Sequence, residues 1–121
     1  MIEDTIKILS DLVAFDTIKD KENAKILDYI ENFLKNLGFK TQKREKYLIM
    51  SYGKDSRLGF IGHSDTVEYI DGWNTAPHTL TKVDSQLHGL GACDMKGGIA
   101  CFLSTLKNTN LKYRLPQSHW L

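Results

Sequence analysis

The sequence has no long apolar run, no excess of either charge, no internal repeat and only two cysteines. Each absence excludes a class of protein. No stretch approaches the roughly 20 apolar residues that a membrane-spanning helix needs, so no membrane association is expected. Sixteen basic residues against fifteen acidic ones leave a net charge of +1, with no pull toward nucleic acid or an acidic membrane surface. Basic residues do not cluster with aromatics, which excludes a nucleic-acid groove. Met1-Ile2-Glu3-Asp4 puts acids where a secretion signal needs a basic start, and a cytoplasmic location is expected. Cys93 and Cys101 are spaced as neither a zinc knuckle nor a redox pair. Free thiols in a reducing compartment fit them best.

What is present suits one small domain. The chain of 121 residues is 41% hydrophobic and 26% charged, ordinary values for a globular protein with a core. Ile2, Ile6, Leu9, Leu12 and Val13 share a helical stripe and predict a helix over residues 2–15. Residues 16–20 form a polar break. A second helix is predicted over 21–37, with Leu27, Ile30, Leu34 and Leu37 toward a core and Gly38 as its stop. The period then changes. Residues 39–43 and 47–52 read as strands, followed by a turn at Gly53-Lys54-Asp55-Ser56. Residues 57–62 read as a central strand buried on both faces, and 64–77 as a loop. A hairpin is predicted from 79–83 and 86–90 around Asp84-Ser85. A third helix is predicted over 96–107, entered through Gly97-Gly98. This order implies an α/β fold, a sheet with helices packed against it. Residues 108–121 have neither period, and Pro116 argues against a core strand there. They are either a short irregular C-terminus or a truncation point, and the second is the expectation.

Two constellations carry chemistry. In Gly62-His63-Ser64-Asp65-Thr66-Val67, His63 and Asp65 stand two apart and point to one side of an extended chain. A neutral imidazole is a zinc ligand, and a carboxylate beside it can hold the other ring N–H and fix the tautomer. The alternative is a histidine satisfied by a local aspartate. In Gly89-Leu90-Gly91-Ala92-Cys93-Asp94-Met95-Lys96-Gly97-Gly98, Asp94 lies between a hairpin and a helix. Its two oxygens can bridge two cations, and the flanking glycines let backbone come close. The alternative there is a plain helix N-cap.

Together the two segments resemble the N-terminal signatures of the zinc-dependent acetylornithine deacetylase, succinyl-diaminopimelate desuccinylase and aminoacylase family. Trp73-Asn74-Thr75-Ala76-Pro77 and Thr79-Leu80 resemble its linking loop, so the likeness runs from the first helix to about Leu106. The resemblance implies the N-terminal part of a di-zinc exopeptidase-like α/β catalytic domain, with residues 1–107 a partial domain and 108–121 a tail. It implies His63 as a terminal zinc ligand and Asp94 as the carboxylate bridging two zincs. Asp65 is implied as the catalytic-site residue that orients His63, and the Asp94–Met95 bond as cis. It further implies cobalt as a substitute metal, an N-acyl amino acid as substrate, a homodimer in full-length relatives and a role in amino-acid biosynthesis. The Gly-His-Ser-Asp-Thr-Val and Asp-Gly-Trp wording is nearest to acetylornithine deacetylase.

The family continues with a Glu-Glu pair holding the general base and a further ligand. This sequence has no acidic residue after Lys107. The chain alone is therefore expected to be inactive, with part of its sheet left as exposed apolar surface. A non-catalytic remnant is the rival reading, and a dipeptidase or aminopeptidase of the same fold a third. His78 and His88 are read as lying outside the ligand set, and His119 as non-functional. Cys93 is read as a small packing residue, and Lys96 as a solvated side chain.

Overall fold

Three helices make the core because three apolar stripes at helical spacing have one another to cover them. The computed structural model describes residues 1–54 and 58–109. The tail beyond Thr109, with Pro116 and His119, and the turn residues Asp55 and Ser56 lie outside the described residues. Helix α1 spans Ile2–Val13, α2 Asn23–Asn36 and α3 Gly97–Lys107. Leu12, Val13, Ile26, Leu34 and Leu103 are fully buried among them, joined by Ile8, Leu9, Ile30, Ile99 and Ala100. Burying one such side chain contributes about 1.5–3 kcal/mol.

Helix α1 runs along α3 in the opposite direction. At its start, the Thr5 hydroxyl donates to Ser104 Oγ (2.8 Å) and Lys107 pairs with Asp4 (2.9 Å) near the end of α3. The predicted stripe on α1 is turned slightly. Ile8 is buried, whereas Ile2 and Ile6 are exposed. At 3.6 residues per turn Ile6 lies at the margin of the face through Ile8, Leu9, Leu12 and Val13, whereas Ile2 lies on that face but at the first residue of the helix. On α2, Ile26 and Asn23 join the predicted Leu27, Ile30 and Leu34. The helix stops at Asn36, and Gly38 follows at φ +91°, a left-handed turn that glycine makes without strain. Leu37 is half-buried outside the helix.

The strands divide between two antiparallel hairpins. β1 (Lys40–Lys43) pairs with β2 (Leu48–Ser51), with Lys40 opposite Ser51, and packs on α2. β3 (Thr81–Val83) pairs with β4 (Gln86–His88) around Asp84, at φ 55°. The α/β class stands, with small sheets beside the helices. Residues 58–62, predicted as a buried central strand, form no ladder, and Leu58 and Ile61 are 85% and 94% exposed. A two-sided buried strand is made by neighbours on both edges, and no described strand pairs with this one. Phe60 alone is held, stacked on Phe102 of α3 at 4.0 Å between ring centroids.

Candidate metal centre

Both signatures carry their acid or histidine on a loop, and each loop is placed by the region where α1 gives way to α2. After Val13 the chain turns through a short polar junction. The Asp16 N–H donates to Glu22 (2.7 Å) and the Glu22 N–H to the Asp16 carbonyl (2.9 Å), which closes the junction on itself. The junction then reaches the first signature. Thr17, fully buried, donates its hydroxyl to the Ser64 carbonyl (2.6 Å). Ile18 and Thr66 form an isolated parallel bridge, and the Ser64 hydroxyl donates to Asn23 Oδ1 (2.6 Å).

The second signature leaves β4 and turns through Ala92–Lys96 before α3 begins. The Lys96 N–H donates to the Gly91 carbonyl (2.9 Å), closing a wide turn in which Asp94 and Met95 leave helical angles. The Asp94–Met95 peptide is cis. Asp94 is thus no helix N-cap; its carboxylate is 82% exposed. Gly91 sits at φ +79°, and a Cβ there would come within 2.3 Å of Thr66 Cγ2. The two signatures therefore touch through a position only glycine can fill.

This packing brings His63 to Asp94. His63 Nε2 lies 2.9 Å from Asp94 Oδ1, across 31 residues of sequence. His63 Nδ1 faces Asp65 from the other side, 3.2 Å from its carbonyl oxygen and 3.3 Å from Oδ1. Partial burial pulls the His63 pKa down. The hydrogen bond to Asp94 and the contacts with Asp65 outweigh it and raise the value above that of a free histidine. Oxygens against both nitrogens thus make the metal-free ring hold its second proton more firmly than a free histidine does.

The donors suit zinc. Two donors on one tetrahedral zinc stand about 3.3 Å apart, a few tenths of an ångström more than the 2.9 Å between His63 Nε2 and Asp94 Oδ1, and Asp65 holds the far nitrogen as an outer partner does. The set is short, however. Among the described residues no group of three or more His, Cys, Asp and Glu stands ready for a metal. His78 Nε2 is 3.8 Å from Asp16 at the junction, and His88 lies on β4.

Two readings of the second signature need correction. Lys96 is fully buried rather than solvated, and its ammonium donates to the Phe15 carbonyl (2.8 Å). Burial pushes its pKa down to about 8, although the charges of Asp16 and Glu22 oppose the shift. Those two carboxylates lie 80 and 74 residues away in sequence, so local composition gives no sign of them. Cys93 is exposed rather than packed, because the wide turn points it away from the core.

Comparison with known proteins gives the family. Residues 59–118 match peptidase family M20/M25/M40. The chain is 36% identical over 110 residues to acetylornithine deacetylase of Aliivibrio salmonicida, covering 85% of this chain and 29% of that protein. It is 36% identical over 113 residues to succinyl-diaminopimelate desuccinylase of Rickettsia canadensis, covering 82% and 29%. The chain therefore spans under a third of the length of these relatives. The fold is similar to that of human carnosine dipeptidase 1, with a TM-score of 0.73 at 24% identity over 87% of this chain and 28% of that one. Two signatures in their family order, meeting at one point in the fold, accompany that match: the chain belongs to peptidase family M20/M25/M40.

Proposed function

We propose that this chain contributes a terminal and a bridging metal ligand to a zinc-dependent hydrolase of N-acyl amino acids, nearest in kind to acetylornithine deacetylase. The observation that carries this reading is the approach of His63 Nε2 to Asp94 Oδ1 at 2.9 Å. His63 offers its Nε2 lone pair while Asp65 holds Nδ1–H and fixes the tautomer. Asp94 presents an exposed carboxylate with one oxygen turned to His63, leaving the other for a second cation. Zinc, when bound, supplies Lewis acidity that polarises an amide carbonyl and makes water a nucleophile near neutral pH. The acetyl or succinyl group follows the names of the relatives. Two zincs per complete site, a homodimer and a cytoplasmic location belong to the same proposal.

A non-catalytic role is the second reading, favoured by the donor count: the described residues bring together only two ligands. A catalytic zinc normally has three protein ligands and a water. The loss of a general base typically removes about 10²–10⁴-fold of rate. The test is zinc calorimetry on the purified chain beside His63→Ala and Asp94→Asn, followed by assay on N-acetylornithine, N-succinyl-diaminopimelate and a dipeptide. Weak zinc binding, abolished in both variants and without measurable hydrolysis, is expected. Zinc binding indifferent to both substitutions would remove the site. Turnover that needs both residues would reject the non-catalytic reading, and the substrate turned over would separate deacylase from dipeptidase.

A further inference from the structure

We infer that the α1–α2 junction is a single brace for both ligands, and that Thr17, Asn23 and Lys96 are its positioning residues. The inference rests on the reading of His63 and Asp94 as a ligand pair and adds what holds them in register. Leu90 is buried, and Ala92 and Met95 pack on the core, which seats the second loop; the first loop leaves Val67 and Ile70 exposed, and the register between the two ligands is fixed by polar contacts. Those contacts converge on the residues just after α1. On the first loop, the Thr17 hydroxyl holds the Ser64 carbonyl, one residue past His63, at 2.6 Å. The Thr66 N–H returns to the Thr17 carbonyl at 3.4 Å. Asn23 accepts from the Ser64 hydroxyl at 2.6 Å and donates to the Lys46 carbonyl at 3.3 Å, tying the same loop to the β1–β2 hairpin.

On the second loop, the Lys96 ammonium crosses the core to the Phe15 carbonyl at 2.8 Å. Its own N–H closes the turn that displays Asp94. Phe15 and Thr17 are two residues apart, so both ligands are hung from one short piece of chain. All three side chains are buried, Thr17 and Lys96 completely and Asn23 at 7% exposed. Each gives its polar group to another segment's backbone or hydroxyl. A buried ammonium whose hydrogen bond goes to a loop carbonyl is costly as packing alone. Its place here is explained by what it fixes.

The test uses the whole chain with ¹⁵N-labelled histidine, reading the His63 ring signals by NMR without metal and during a zinc titration. Thr17→Val removes the hydroxyl, Thr17→Ser keeps it, Lys96→Met keeps the stem without the ammonium, and Ser64→Ala removes only the link to Asn23. Thr17→Val and Lys96→Met should each move the His63 signals and weaken zinc binding about 10-fold, the scale of lost outer-shell partners. Thr17→Ser should stay close to the parent, and Ser64→Ala should fall between. If Lys96→Met unfolds the chain, the contrast between Thr17→Val and Thr17→Ser decides. If Thr17→Val also unfolds, Ser64→Ala against Thr17→Ser decides. Folded Thr17→Val and Lys96→Met proteins with parental His63 signals and zinc affinity would overturn the brace. A parent that binds no zinc, with a His63→Ala control identical to it, would reject the ligand reading. The metal-free His63 signals would still report on the brace.

Discussion

The helical core and the segment 58–70 carry similar apolar side chains and dispose of them in opposite ways. Leu12, Val13, Ile26 and Leu34 are fully buried, whereas Leu58, Ile61, Val67 and Ile70 are 73–94% exposed. The helices are held by area removed from water. Past the stack of Phe60 on Phe102, the segment bearing His63 is held by hydrogen bonds to Thr17, Asn23 and Asp94. A few polar contacts of about 1 kcal/mol each therefore set the ligand geometry, while many apolar contacts set stability. The two properties should respond to different substitutions.

The largest effect on stability should come from the core. Leu12→Ala, at a site with no exposed surface, should cost about 2–5 kcal/mol, measured by urea denaturation. Loss of less than about 1 kcal/mol would mean the helical core is not the source of stability. Next comes the point where the two signatures touch. Gly91→Ala forces a Cβ to within 2.3 Å of Thr66 at φ +79° and should destabilise by about 1–3 kcal/mol. It should also move His63 from Asp94, read as a shift of the His63 ring signals that Leu12→Ala does not reproduce.

Acid should open the junction before the core. The Ile18 N–H holds Asp16 below the usual carboxylate range, and the side chain of Lys25, with the Asp16 N–H, does the same for Glu22. With folded values depressed, the contribution of these groups is present above the ordinary carboxylate pKa. It is lost as pH falls through the lower folded values. The protection factors of the amides of residues 17–23, taken against the intrinsic exchange rate at each pH, should therefore fall below about pH 4 while those of α3 hold. An equal fall in both places would reject a local latch. The smallest effect should be at Ile61. Ile61→Ser should change stability by no more than about 0.5 kcal/mol yet reduce binding of an apolar fluorescent dye. A loss comparable to Leu12→Ala would show that the segment is buried in solution.

The helices and hairpins were legible because periodicity and turn chemistry are local. Leu9, Leu12 and Val13, the Gly38 stop and the Asp84 turn needed only their neighbours in sequence. Residues 58–62 depart from the expected buried strand because an apolar run looks the same whether or not strands flank it, and burial depends on those partners. His63 and Asp94 are marked out by their motifs, but spacing alone does not supply their approach to 2.9 Å. Lys96 was misread because a lysine at a helix start is ordinarily solvated. Only the carbonyl of Phe15, brought across from the end of α1, gives its ammonium a buried partner.

The sequence by itself determined the three amphipathic helices, the two hairpins and the residue types able to bind metal, since each depends on short-range pattern or on side-chain chemistry. The tertiary structure alone decided that two signatures 31 residues apart share one point and hang from one junction. It also decided that a lysine is buried to hold them there. The physical reason is that a hydrogen bond or a ligand pair is specified to within a few tenths of an ångström. Such distances between distant segments exist only after the helices between them have packed.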